Sequence, residues 1–173
     1  YAYTAARYDD FVENVGGIGV SRDGNRPVGV PVHVGNVWLD ATLAEKPQAP
    51  TLVLMHHPPF LTGIAHMDKI GLQGRDGFAA VMRRHKQVEA ILCGHVHRVI
   101  HARVGGRAAM ICPSPAHQVA LDLRPEGPSA FVLEPPGYML HRWQDNQLVS
   151  HVSVLGDWPG PFPFFDTDGQ LID

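Results

Sequence analysis

The chain has 173 residues, 45% of them hydrophobic and 18% charged, with 14 Lys and Arg against 17 Asp and Glu for a formal net charge of -3. This balance excludes a low-hydrophobicity disordered chain and gives no electrostatic reason to expect a nucleic-acid backbone or an anionic membrane as partner. Two cysteines, Cys93 and Cys112, are too few for a disulfide framework. No apolar run approaches the ~20 residues that span a bilayer, so one domain in the cytoplasm is the expectation.

Taken in chain order, residues 1–35 show neither a period of two nor one of 3.6: "VGGIGVSRDGNRPVGVPVHVGN" reads as an irregular segment. "NVWLDATLAEKP" predicts a helix from Asn36, with Asn36 as the capping residue, Leu39 and Leu43 four apart, and Pro47 as the stop. "TLVLM", residues 51–55, is a short β-prone run without polar alternation, which predicts a strand covered on both faces. A proline- and glycine-broken loop follows, and then "GFAAVMRRHK" carries Phe78, Val81 and Met82 at helical spacing, with Arg83 to Lys86 as its solvated face. "VEAILC" is the next strand, so residues 51–93 spell strand, loop, helix, strand, the order of a parallel crossover. Two hairpins are expected after it, one turning at Gly105 and Gly106 and one at Asp145 and Asn146. The proline-aromatic tail "GDWPGPFPFFDTDG" is expected to pack back onto the domain.

Chemistry concentrates at two strand ends. His56 and His57 follow "TLVLM" directly, and His95 and His97 follow "VEAILC" directly. Open α/β sheets bind ligands beyond the carboxyl ends of their parallel strands, where loops converge. In an extended segment, residues i and i+2 project to one side, so His95 and His97 would present two imidazoles to one point, with Gly94 supplying backbone freedom. Pro58 and Pro59 stiffen the other loop and bias His57 toward extended geometry. Neutral imidazole suits zinc, iron and manganese, and His56, His95 and His97 are the candidate metal ligands. Isolated histidines such as His66, His85, His101, His141 and His151 are read as structural or exposed.

"LVLMHHPPF" followed by "ILCGHVHR" resembles the last two motif blocks of the calcineurin-like metallophosphoesterases. "GIAHMDKIGL" and "CPSPAHQVALDL" look like the branch that contains bacterial class III cyclic-nucleotide phosphodiesterases and glycerophosphodiesterases, the likeness running from about residue 37 to 155. The resemblance implies an α/β fold that is part of a four-layer α/β/β/α sandwich, and a metal-dependent phosphoesterase acting on a small phosphodiester. It further implies two divalent ions, iron, manganese or zinc, about 3.5–4 Å apart, with a shared hydroxide as nucleophile. Carried over by motif, His56 and His95 would ligate one ion and His97 the other. His57 and His117 would face the substrate, and Met67 and Asp68 belong to the loop that borders it.

The family's earlier blocks, Asp-x-His, Gly-Asp-x-x-Asp and Gly-Asn-His, are absent from the chain. The expectation is therefore the C-terminal part of an enzyme, with residues 1–35 of unclear role, 36–155 as the metallophosphoesterase portion and 156–173 as a tail. Without its N-terminal portion, such a piece should expose a strand edge and apolar surface, which association of identical copies would cover. The alternative is a non-catalytic relative, a metal-binding or scaffold module that kept its histidines and lost the acidic ligands.

Overall fold

The computed structural model describes residues 18–19, 28–29 and 32–172, with side chains from Asn36 onward. Two short strands, β1 (Ile18–Gly19) and β2 (Val28–Gly29), pair antiparallel. The rest of the expected irregular segment at 1–35 lies outside the described residues, except that the first helix, α1 (Val32–Ala44), begins four residues before Asn36. Asn36 is thus inside the helix rather than its cap. Its side chain lies against the second long helix, where a Cβ at Gly77 would come within 2.5 Å of Asn36 Nδ2.

The centre of the fold is a four-stranded sheet in the order β3, β4, β6, β5, built from β3 (Thr51–Met55), β4 (Val88–Cys93), β5 (Ile100–Val104) and β6 (Arg107–Ile111). β3, β4 and β6 run parallel, and β5 closes the far edge antiparallel to β6. The chain between β3 and β4 carries a one-turn helix, α2 (Ala65–Lys69), and α3 (Arg75–Arg84), which is the crossover expected from the sequence. Both anticipated hairpins form. β5 and β6 turn at Gly105 and Gly106, with φ of 57° and 84°, and β9 (Gly137–Gln144) and β10 (Gln147–Val154) turn at Asp145 and Asn146, with φ of 52° and 57°. Positive φ at both central residues gives the turn the twist of its strands, which is why Gly, Asn and Asp occupy these positions. A small pair, β7 (Gln118–Val119) and β8 (Phe131–Val132), lies between the hairpins in sequence.

The apolar core forms between the helices and one face of the sheet. Val53, Met55, Ile91, Cys93, Ala109 and Ile111 alternate along that face and bury against Leu39 and Leu43 of α1 and Phe78, Val81 and Met82 of α3. The helices are tied to each other and to the turn before β4 by polar contacts. Asp40 pairs with Arg84 at 2.9 Å, and His85 Nε2 lies 2.6 Å from Asp40 Oδ1. A carboxylate only accepts, so Nε2 carries the proton, and His85 Nδ1 accepts from Gln87 Nε2 at 3.5 Å, which also donates to the Leu43 carbonyl at 2.7 Å.

Two expectations are corrected. β3 is covered on one face only: Leu54, on the other, is 63% exposed. Among the described residues β3 is an edge strand beside β4, and β10 comes close to β4. The tail does not pack back either, since Trp158, Phe162, Phe164 and Phe165 are all more than half exposed. Its hydrogen bonds are local, with Asp166 Oδ1 accepting from the N–H groups of Asp168 and Gln170, and glycine and proline interrupt any repeating apolar face.

Candidate metal centre

β3 and β4 are parallel neighbours with Met55 opposite Cys93, so the loops that leave their carboxyl ends start side by side. The Gly94 N–H donates to the His56 carbonyl at 3.1 Å and joins the two loops. Pro58 and Pro59 are buried beneath the first loop, and Val96, with no exposed surface, is buried beneath the second.

The backbone around the second pair is not extended. His95 and His97 themselves take left-handed conformations, with φ of 68° and 60°, and the Val96 N–H closes a tight turn on the Gly94 carbonyl at 2.8 Å. Their nearest ring partners differ. His95 turns toward His56 and His57: ring centroids are 5.1 Å apart for His56 and His95, 4.3 Å for His57 and His95, and 4.7 Å for His56 and His57. One ligand atom from each of these three lies within 4.8 Å of the others. His97 turns toward His117, 4.8 Å between centroids, with Phe131 5.0 Å behind His117. The loop carrying His117 is held by Ser114, whose N–H donates to the His97 carbonyl at 3.1 Å, and by Gln118, whose side-chain amide donates to the Ser114 carbonyl at 2.9 Å.

No family model matches the chain. It is 43% identical over 139 residues to a protein of Arcobacter nitrofigilis named probable glycerophosphodiester phosphodiesterase, a match covering 79% of this chain and 51% of that one. It is 32% identical over 123 residues to the 3',5'-cyclic adenosine monophosphate phosphodiesterase of Escherichia coli K12, covering 69% of this chain and 43% of the other. Over these residues the chain is similar to bacterial proteins named as cyclic-nucleotide and glycerophosphodiester phosphodiesterases. It spans about half the length of the curated relatives it matches. Among solved structures, a dimetal phosphatase from Danio rerio aligns with a TM-score of 0.41 and 21% identity over 58% of this chain and 33% of its own.

The electrostatics of the histidine cluster follow from crowding imidazoles in a half-buried place. Burial, with the neighbouring rings of His57, His56 and His97 adding to it, pushes His95 down to about 4. Burial also lowers His56 and His57, each with a further contribution from one neighbouring histidine. These three rings are therefore neutral at neutral pH, the form that offers a lone pair to a cation. Cys93, one residue before Gly94, is pushed up to about 12 by burial and is an inert thiol rather than a thiolate ligand.

The residues fit a divalent cation. Among the described residues His95 Nε2 and His97 Nδ1 are both buried without a hydrogen-bond partner, a costly arrangement for a polar atom that a coordinate bond would relieve. Three neutral nitrogens with an exposed His56 at the rim could hold a cation, and the site would be open rather than closed. Among the described residues no carboxylate joins this group. Of the histidines singled out by sequence, His56 and His95 meet, and His57, read as substrate-facing, joins them. His97 keeps company with His117 instead. Sequence reading missed Phe131, which carries no motif.

Proposed function

We propose that the protein acts in metal-dependent hydrolysis of a small phosphodiester in the cytoplasm, within the four-layer α/β/β/α sandwich that the family resemblance implies. The carrying observation is the pair of buried imidazole nitrogens on His95 and His97, without partners among the described residues, in the loop that leaves the end of one parallel strand beside a neighbouring strand's histidines. His56, His57 and His95 would hold one divalent ion of iron, manganese or zinc, and His97, beside His117, would face a second ion in the complete enzyme. Such ions supply a Lewis acid for the phosphoryl oxygens and acidify water. The protein's own part is to keep the rings neutral, aim their lone pairs and leave the His56 edge open to the substrate. Phe131, 62% exposed behind His117, offers a flat apolar surface to the alcohol portion of the diester.

The test is hydrolysis of a bis-aryl phosphodiester with and without added manganese. Turnover that needs the metal and falls by more than roughly 100-fold in His95→Ala supports this reading. A second reading, a metal-binding relative without hydrolysis, is favoured by the absence of a carboxylate from the group among the described residues. Metal bound at His95 without turnover would select it, and no metal binding at all would remove both.

A further inference from the structure

His97 is followed by Arg98, whose mostly buried side chain runs from the histidine loop to the small β7–β8 pair. Its Nη1 donates to the Val119 carbonyl at 2.8 Å and lies 2.8 Å from Glu134 Oε2, and its Nη2 donates to Glu134 Oε1 at 3.3 Å. Val119 belongs to β7 and Glu134 stands just beyond the end of β8, so one guanidinium holds both strands. The pair needs an outside hold. Its ladder sets Gln118 opposite Val132 and Val119 opposite Phe131, continued by the Ala120 N–H donating to the Ala130 carbonyl at 2.9 Å. A two-stranded ribbon of that length is not stable by itself. β7 is anchored by buried Gln118 and Val119, but on the β8 side Phe131 is 62% exposed and Leu133 83%, which leaves little apolar burial to keep that strand in place.

The strand pair carries His117, one position before β7, and Phe131, the first residue of β8. Their ring centroids are 5.0 Å apart, and His117 is 4.8 Å from His97. We infer that Arg98 is a positioning residue: by gripping β7 through the Val119 carbonyl and β8 through Glu134, it latches the strand pair to the histidine loop and sets where Phe131 and His117 stand beside His97. Arginine suits this task, because its planar fork reaches a carbonyl and both oxygens of a carboxylate at once, which the point charge of a lysine does not. The latch stands on these hydrogen bonds alone; its consequence for substrate rests on the function proposed above, in which Phe131 meets the alcohol portion of the diester.

Amide hydrogen exchange on the whole protein reads the latch without any substrate. Arg98→Ala should speed exchange of the Ala120 N–H by roughly 10–100-fold, the loss expected of a hydrogen bond from a charged donor, while the amides of β4 in the central sheet exchange as in wild type. Arg98→Lys should fall between the two. Glu134→Ala, at an exposed site, should give a smaller rise of about 2–5-fold and supplies the readout if the alanine variant at 98 does not fold. With the bis-aryl phosphodiester and manganese, Arg98→Ala should raise KM by about 3–10-fold and change kcat by less than about 2-fold, since a displaced Phe131 loses contact with bound diester and transition state alike. Arg98→Lys should recover part of that rise. Unchanged Ala120 exchange in both Arg98→Ala and Glu134→Ala would overturn the inference, and so would an equal acceleration in β4, the mark of general destabilisation. Faster Ala120 exchange with KM unchanged would overturn the positioning role. A wild type that turns over no diester would overturn the function proposed above, and exchange alone then decides the latch.

Discussion

A left-handed backbone costs a non-glycine residue roughly 1–2 kcal/mol, and His95 and His97 both hold one, two residues apart. Strain of this kind persists where surrounding structure over-determines it, and buried Val96 between the two rings does so here. At an ordinary site alanine is more stable than glycine by roughly 0.5–1 kcal/mol. At position 95 the order should reverse: with metal absent, His95→Gly should unfold at a higher urea concentration than His95→Ala, by about 1 kcal/mol. Equal midpoints, or alanine ahead, would contradict the left-handed geometry. The residue types at this site were legible, because paired histidines after an apolar run have few uses. Their aim was not, since an i, i+2 argument presumes an extended chain and the two strained φ angles send the rings to different partners.

At the level of elements, the two turn glycines of the β5–β6 hairpin look alike in sequence and differ in consequence. A Cβ on Gly105 would stand 2.4 Å from the Ala79 carbonyl and 2.6 Å from Met82 Cβ on α3, whereas one on Gly106 would meet nothing within 4 Å. Gly106→Ala should therefore cost only the left-handed penalty, about 1–2 kcal/mol, and Gly105→Ala roughly 1–3 kcal/mol more from forcing the hairpin off the helix. Chemical denaturation of the two variants decides it, and equal losses would refute the close approach. The contact between α1 and α3 carries a pH dependence of defined sign. Arg84, and after it His85, hold the Asp40 carboxyl below its usual range by hydrogen bonding. In the unfolded chain that carboxyl titrates near its ordinary value of about 4, so its stabilising effect is complete above about pH 4 and fades as pH falls through the lower native value. Asp40→Asn should flatten the acid side of the stability profile relative to wild type; parallel profiles from urea midpoints at falling pH would argue against it. The crossover and both hairpins were readable because run length and turn residues agreed with their tertiary setting. The start of α1 and the open face of β3 were not, since each depends on what packs nearby.

For the whole molecule the governing quantity is charge. Two divalent ions 3.5–4 Å apart repel by roughly 15–20 kcal/mol at an effective dielectric of 20, which neutral imidazoles do nothing to cancel. Bridging carboxylates do, and among the described residues none joins the histidine group. The chain also spans about half the length of relatives that are phosphodiesterases by name. This 173-residue chain should accordingly bind close to one equivalent of zinc or manganese, with the apparent melting temperature rising as metal is added. Saturation at one hundred times the dissociation constant should contribute about 2.7 kcal/mol. Elemental analysis after dialysis against each metal gives the count, and thermal unfolding across a concentration series gives the linkage. His95→Ala should lose the metal-dependent rise while keeping the metal-free transition. Two ions retained per chain with comparable affinity would overturn the electrostatic argument, because only negative charge brought to the same point could hold them together.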